Sequence, residues 1–131
     1  MKTVALFAAS CCLLFASCAT TTPAPAGIGE FEGASIVAFD GTFLGIVSKD
    51  PRDTKSIADS TGMYGSKIST SSIFDSIGPY GSGVSSMSAF NAMASNPPKL
   101  VATDGTWIYL TANPTLAPRI APETIVKFVG K

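Results

Sequence analysis

A sixteen-residue repeat in the middle of the chain limits its folding choices more than any other feature. Ser56-Ile-Ala-Asp-Ser-Thr-Gly-Met-Tyr-Gly-Ser-Lys-Ile-Ser-Thr-Ser71 aligns with Ser72-Ile-Phe-Asp-Ser-Ile-Gly-Pro-Tyr-Gly-Ser-Gly-Val-Ser-Ser-Met87, and nine of the sixteen places are identical. A partial third copy starts at Ser88-Ala-Phe-Asn91 and dissolves into Asn96-Pro97-Pro98. A unit this short cannot hold a helix pair, and its glycines exclude a long helix. Ser-Ile-x-Asp can open a helical turn capped by its serine. Gly62 and Gly78 would then end that turn. This reading puts Ile57, Ile73, Tyr64 and Tyr80 inward, with the serines, Asp59 and Asp75 outward.

Two β-prone stretches flank the repeat. Ile36-Val37-Ala38-Phe39 leads through Asp40-Gly41 to Thr42-Phe43-Leu44-Gly45-Ile46-Val47. Leu100-Val101-Ala102-Thr103 leads through Asp104-Gly105 to Thr106-Trp107-Ile108-Tyr109-Leu110-Thr111. Asp-Gly between two such runs is a strong hairpin signal, read here as a two-residue turn with positive φ at both positions. That turn would set Ala38 opposite Phe43 and Ala102 opposite Trp107, a small residue against a large one. The strands are apolar at successive positions, which predicts burial of both faces. Near the end, Pro122-Glu123 before Thr124-Ile-Val-Lys-Phe-Val129 and Gly130 favours a short helix, although four of these residues are β-branched. The fold class expected is α+β and β-rich. Two Asp-Gly hairpins lie in a small sheet covered by a repeat segment of short helical turns and loops.

The start of the chain has a different character. Lys2 precedes an apolar run of about twelve residues, Val4 to Phe15. A membrane-spanning helix needs about 20, so the run has the length of a secretory signal. It ends Leu14-Phe15-Ala16-Ser17-Cys18, which resembles the bacterial lipobox. The resemblance implies cleavage after residue 17, with Cys18 lipidated as the first mature residue. Plain secretion with cleavage near Ala16 or Ala19, and a retained anchor, are the alternatives. Residues 1–17 are thus read as a lipoprotein signal peptide. Residues 18–32 are the lipidated cysteine and a flexible Thr/Pro/Ala tether, which Pro23 and Pro25 bias toward extended polyproline conformation. Residues 33–131 form a single small domain. The resemblance places that domain in the bacterial cell envelope, facing the periplasm or the exterior. Ala19 fits outer-membrane export in a Gram-negative host.

Composition then removes several chemistries. The chain has no histidine, hence no imidazole base and no imidazole metal ligand. Cys11, Cys12 and Cys18 are the only cysteines, so the mature domain is expected to have no disulfide and no thiolate nucleophile. Nine basic side chains balance nine acidic ones, which gives no basic stripe for nucleic acid. Ser66 and Lys67 are adjacent, and adjacent residues on a strand face opposite ways. Asp59 and Asp75 are the repeated carboxylates. They read first as turn or cap residues, with a weak cation site or a glycan-cleaving pair as alternatives. Trp107, Tyr109, Tyr64 and Tyr80 are either a recognition surface or core. A domain this small needs aromatics inside, which favours the core for Trp107.

The pattern Tyr-Gly-Ser-x-x-Ser-x-x-Ser-x-x-Asp/Asn, then Pro97-Pro98, then a strand ending Leu110-Thr111-Ala112-Asn113, resembles a set of small uncharacterised bacterial exported proteins. The resemblance spans about residues 36–125 and implies no particular activity. The expectation is a non-catalytic binding or structural module, membrane-anchored through Cys18, with no cofactor or metal. Asp59, Tyr64, Asp75 and Tyr80 are the candidate contacts to an unknown protein or envelope partner, with no nucleic acid. The alternatives are a carboxylate-based glycan-acting enzyme and a weak cation- or small-ligand-binding repeat.

Overall fold

The computed structural model describes residues 27–131, so the leader, Cys18 and the tether up to residue 26 lie outside the described residues. Strands β1 (Ser35–Val37), β2 (Phe43–Ile46), β3 (Lys99–Val101), β4 (Trp107–Leu110) and β5 (Arg119–Ile120) form one sheet in the order β2-β1-β3-β4-β5. β1 pairs antiparallel with β2 and β3, and β3 antiparallel with β4, while β4 and β5 run parallel. A 3-10 turn, Ile28–Phe31, precedes the sheet, and helix α1, Pro122–Val129, follows it. The domain is therefore α+β and β-rich. Pro122 opens α1 and Gly130, at φ 73°, closes it by donating to the carbonyls of Lys127 and Val126. These ends, and burial of Ile125 in the core, outweigh the β-branched residues between them.

The two Asp-Gly loops have one geometry. Ala38 N–H donates to Thr42 O at 2.8 Å, and Gly41 N–H to Ala38 O at 2.9 Å. Ala102 with Thr106, and Gly105 with Ala102, repeat this at 2.8 and 3.0 Å. The loop thus has three residues rather than two. Val37 faces Phe43 and Val101 faces Trp107, so the expected alanine–aromatic pairs do not form. Within these loops the residues at positive φ are Gly41 and Gly105, at 89° in each. The aspartates keep negative φ and accept the N–H two residues on, from Thr42 at 3.0 Å and Thr106 at 2.9 Å. A type I turn followed by a left-handed residue needs only the glycine to be special.

Burial of both sheet faces is also overturned. Ile36, Leu44, Leu100, Ile108 and Leu110 point into the core, whereas Val37, Phe43, Lys99, Val101 and Tyr109 are half-buried on the other side. The strands alternate despite their apolar composition, because the repeat fills the core side with Ile57, Ile73 and Ala89 and reaches the other side at β2, where Tyr64 meets Phe43. Trp107 is 40% exposed and is not core.

The repeat segment contains no α-helix. It is a string of turns, each three residues long and each capped by its own first side chain. In one set Asp50, Asp53, Ser56 and Asp59 accept the N–H two residues on. Ser66, Ser69, Ser72 and Asp75 do the same in the next. Ser82, Ser85, Ser88 and Asn91 complete a third. The period of sixteen thus runs from Asp50, earlier than the sequence reading began it, and the third set is whole. Serines and short acids suit this role because they satisfy a backbone N–H locally and so compete with helix formation.

Self-capping also explains why Ser56, Ser72 and Ser88 are wholly buried and Asp75 is 4% exposed, where an outward position was expected. Each has its hydrogen bond in place before it enters the interior, and no buried side-chain polar atom among the described residues lacks a partner. Ile57, Ile73 and Ala89 follow the capping serines and bring one side chain per set into the core. The first set hangs on the edge of the sheet, where Ile46 donates to Lys55 O and Ile57 donates to Ile46 O.

Candidate functional site

The sequence singled out four contact residues in the repeat, and the structure places each of them. Asp59 Oδ1 takes the Thr61 N–H at 3.1 Å and the Thr61 hydroxyl at 3.0 Å. Asp75 Oδ1 takes the Ile77 N–H at 3.1 Å. Both carboxylates act as turn caps here. Tyr64 packs edge-on against Phe43, with ring centroids 5.1 Å apart. Tyr80 is buried, and its hydroxyl donates to Asp40 Oδ2 at 3.0 Å and lies 3.2 Å from Thr42 Oγ1. Among the described residues, no three acidic, cysteine or histidine side chains are grouped to hold a metal ion.

Tyr80 therefore ties the second turn set to the first Asp-Gly loop. Hydrogen bonds, first from the Thr42 side chain, then from its backbone, and less from Tyr80, hold the Asp40 carboxyl below its ordinary value. A lowered folded-state value contributes stability above the unfolded pKa, and that contribution fades as pH falls through the folded one. Tyr80→Phe is expected to move the Asp40 titration up and to lower the melting temperature by about 4–8 °C, the scale of one ordinary hydrogen bond in a domain this size. An Asp40 titration unchanged in the variant, followed by NMR, would contradict the contact.

Asn91 stands where Asp59 and Asp75 stand in the other two sets, and its Oδ1 takes the Met93 N–H at 2.9 Å. An amide therefore serves that turn. Asp59→Asn and Asp75→Asn are expected to cost less than about 1 kcal/mol each, because the acceptor is kept. Added calcium is expected to leave the melting temperature where it was. A rise with calcium that Asp75→Asn removes would instead make these acids cation ligands.

A different group of side chains converges on the open face of the sheet. The register sets Phe43, Val37, Lys99, Tyr109 and Arg119 side by side across all five strands. At strand spacings of about 4.8 Å that row is roughly 19 Å long. Trp107 stands beside Val101 in the next row, and its ring meets Tyr109 edge-on at 5.1 Å. Lys99 Nζ lies 4.1 Å from the Trp107 ring centroid and 5.8 Å from that of Tyr109. Arg119 Nη1 donates to Thr111 O at 3.4 Å, which leaves further guanidinium donors. None of the five strands contains an acidic residue. The face thus combines aromatic surface with two cations and no carboxylate between them.

Little of this was visible beforehand. Trp107 and Tyr109, two apart on one strand, were a legible signal for a shared face. Lys99 and Arg119 look like ordinary solvated charges until β3, β4 and β5 are aligned.

Away from this face, a hollow of about 500 Å³ is lined by Ser60, Ser66, Lys67 and Lys131 among others. Lys131 Nζ already donates to Ser60 Oγ and Gly65 O, and burial, with Lys67 nearby, pushes its pKa down. The sheet face offers the less committed charges.

Comparison with known proteins adds no assignment: no family model, curated protein or solved structure matches the chain.

Proposed function

We propose that this chain is a bacterial envelope lipoprotein, anchored through a lipid on Cys18, whose tethered domain is a non-catalytic binding module. The reading joins the lipobox-like Leu14-Phe15-Ala16-Ser17-Cys18 to a domain that presents the open sheet face. The observation that carries it is the setting of Lys99 against Trp107 and Tyr109, next to Arg119 and clear of any strand acid. Cations on an aromatic platform suit a partner that brings carboxylates or phosphates together with surface that can stack. An acidic envelope glycan or an acidic protein segment has that chemistry. The finer architecture we infer is two Asp-Gly hairpins side by side, with the repeat as their cover. The matched loops and the core positions of Ile57, Ile73 and Ala89 support it.

Trp107 is the only tryptophan and stands in the proposed contact, so its emission reports binding directly. Titration with polygalacturonate, a soluble carboxylate-bearing glycan, or with polyglutamate is expected to shift that emission in a saturable and salt-sensitive way. Emission unchanged by either polymer at low salt would remove the acidic-partner reading.

A further inference from the structure

Four of the most exposed apolar side chains share one structural position. Ile68, Ile77, Val84 and Met93 are 90, 91, 89 and 86% exposed. Each follows a capping residue by two, and its N–H is held by Ser66, Asp75, Ser82 or Asn91 at 2.9 to 3.2 Å. The backbone below each tip is fixed while the side chain projects. In the first set the same two places hold Arg52 and Thr61, so the fold does not require apolar residues there. Val84 and Met93 border one shallow hollow of about 430 Å³.

The surroundings narrow the occupant. From Ser60 to Thr103 the sole acidic residue is Asp75, and it is buried. Lys67 stands beside Ile68 and is exposed. A protein interface buries one contiguous apolar centre inside a polar rim. Here single aliphatic tips project from a serine- and glycine-rich scaffold whose one partly exposed carboxylate, Asp59, is spent on capping its own turn at Thr61. That arrangement fits a lipid interface, where apolar side chains enter the headgroup–acyl boundary and hydroxyls stay among the headgroups. Anionic headgroups attract a nearby lysine and would repel a carboxylate.

We propose that Ile68, Ile77, Val84 and Met93 seat the domain on the bilayer that carries its anchor, with Lys67 over the headgroups. This rests on the anchor at Cys18. Ala19 to Ala26 separate Cys18 from the domain, and at roughly 3 Å per extended residue they reach about 25 Å, enough for the domain to lie on the same bilayer.

The test uses the full lipidated chain in vesicles of phosphatidylcholine and phosphatidylglycerol, with and without brominated acyl chains. Ile68→Trp and Val84→Trp are each made in a Trp107→Phe background, and unaltered melting temperatures show that the fold is kept. Flotation reads the anchor, and quenching reads the tips. Both new tryptophans are expected to emit at shorter wavelength on vesicles and to lose about half or more of their emission to brominated chains, as side chains at the acyl boundary do. Trp107 in the native protein, on the sheet face, is expected to keep its emission. Protein that floats while both tip tryptophans emit as in water would overturn the seating and leave the anchor standing. Protein that does not float would overturn both. A blue shift that grows with protein concentration and ignores the brominated chains would put a second copy on the tips instead.

Discussion

Gly81→Ala is expected to cost about 3 kcal/mol or more, a large share of the 5–15 kcal/mol by which a domain is usually stable. The cause is the space where a Cβ would stand. At Gly81 it would meet the carbonyl oxygens of Ile73 and Asp75, and at Gly65 those of Ile57 and Asp59. These are backbone atoms in the preceding turns, so no side chain can rotate away. Relief requires the string of turns to shift, and with it Ile57 or Ile73, which are fully buried. The Tyr-Gly-Ser step is therefore a crossing where one turn set passes against the one before it, and glycine is there for closeness. Gly83→Ala is the control. It lies in the same segment, has nothing within 4 Å of a new Cβ and needs no positive φ. It is expected to change stability by less than about 0.5 kcal/mol. Urea denaturation of the two variants checks the contrast, and equal effects would contradict the close crossing.

Lys99→Glu is expected to weaken polyanion binding at least about tenfold at low salt, the scale of about 1.4 kcal/mol at a contact between fixed charges. The substitution does two things at once. It removes the cation above Trp107 and Tyr109, and it puts the first carboxylate into the strands, two strands from Arg119 with Tyr109 between them. Lys99→Met separates them, since it keeps most of the apolar stem that covers the rings and loses only the charge. Its loss is expected to lie between wild type and Lys99→Glu, and all three are expected to converge near 1 M salt, where the screening length is about 3 Å. Lys99 is half-buried on the open face, so neither change disturbs the core. Binding that is unaffected by Lys99→Glu and unaffected by salt would move the contact off this face.

The two Asp-Gly strings placed the turns and the four strands around them, because that turn chemistry is local. They did not give the loop length. A two-residue and a three-residue loop differ only in whether Asp40 or Asp104 takes positive φ, and an aspartate can do either. The missing residue per loop then moved Val37, not Ala38, opposite Phe43. Pro122 and Gly130 announced α1 for the same local reason. β5 had no such signal: Arg119-Ile120 is two residues long and exists because Tyr109 and Thr111 donate to the carbonyls of Pro118 and Ile120. The repeat was legible as a period of sixteen, and its triplet spacing of serines was visible as a motif. Its meaning was not, because a serine that caps its own turn and a serine that faces water look alike in a sequence. That ambiguity reversed the expected direction of Ser56, Ser72 and Asp75. It also hid Asp50 and Asp53, which do with carboxylates what the later sets do with hydroxyls. The candidate face was half legible. Trp107 and Tyr109 share a strand, but Lys99 and Arg119 join them only through the register of three strands.

Whether Cys18 carries a lipid, as proposed, decides whether the sheet face and the apolar tips work at a membrane. Intact mass and N-terminal fragment analysis of the protein recovered from a bacterial host's membranes reads it directly. A mature chain that begins at Cys18 and carries a diacylglyceryl thioether, lost together with membrane association in Cys18→Ala, is the expected result. A chain that keeps its leader, or one that begins at another residue without lipid and is recovered free of membranes, would contradict the reading of this protein as a lipoprotein.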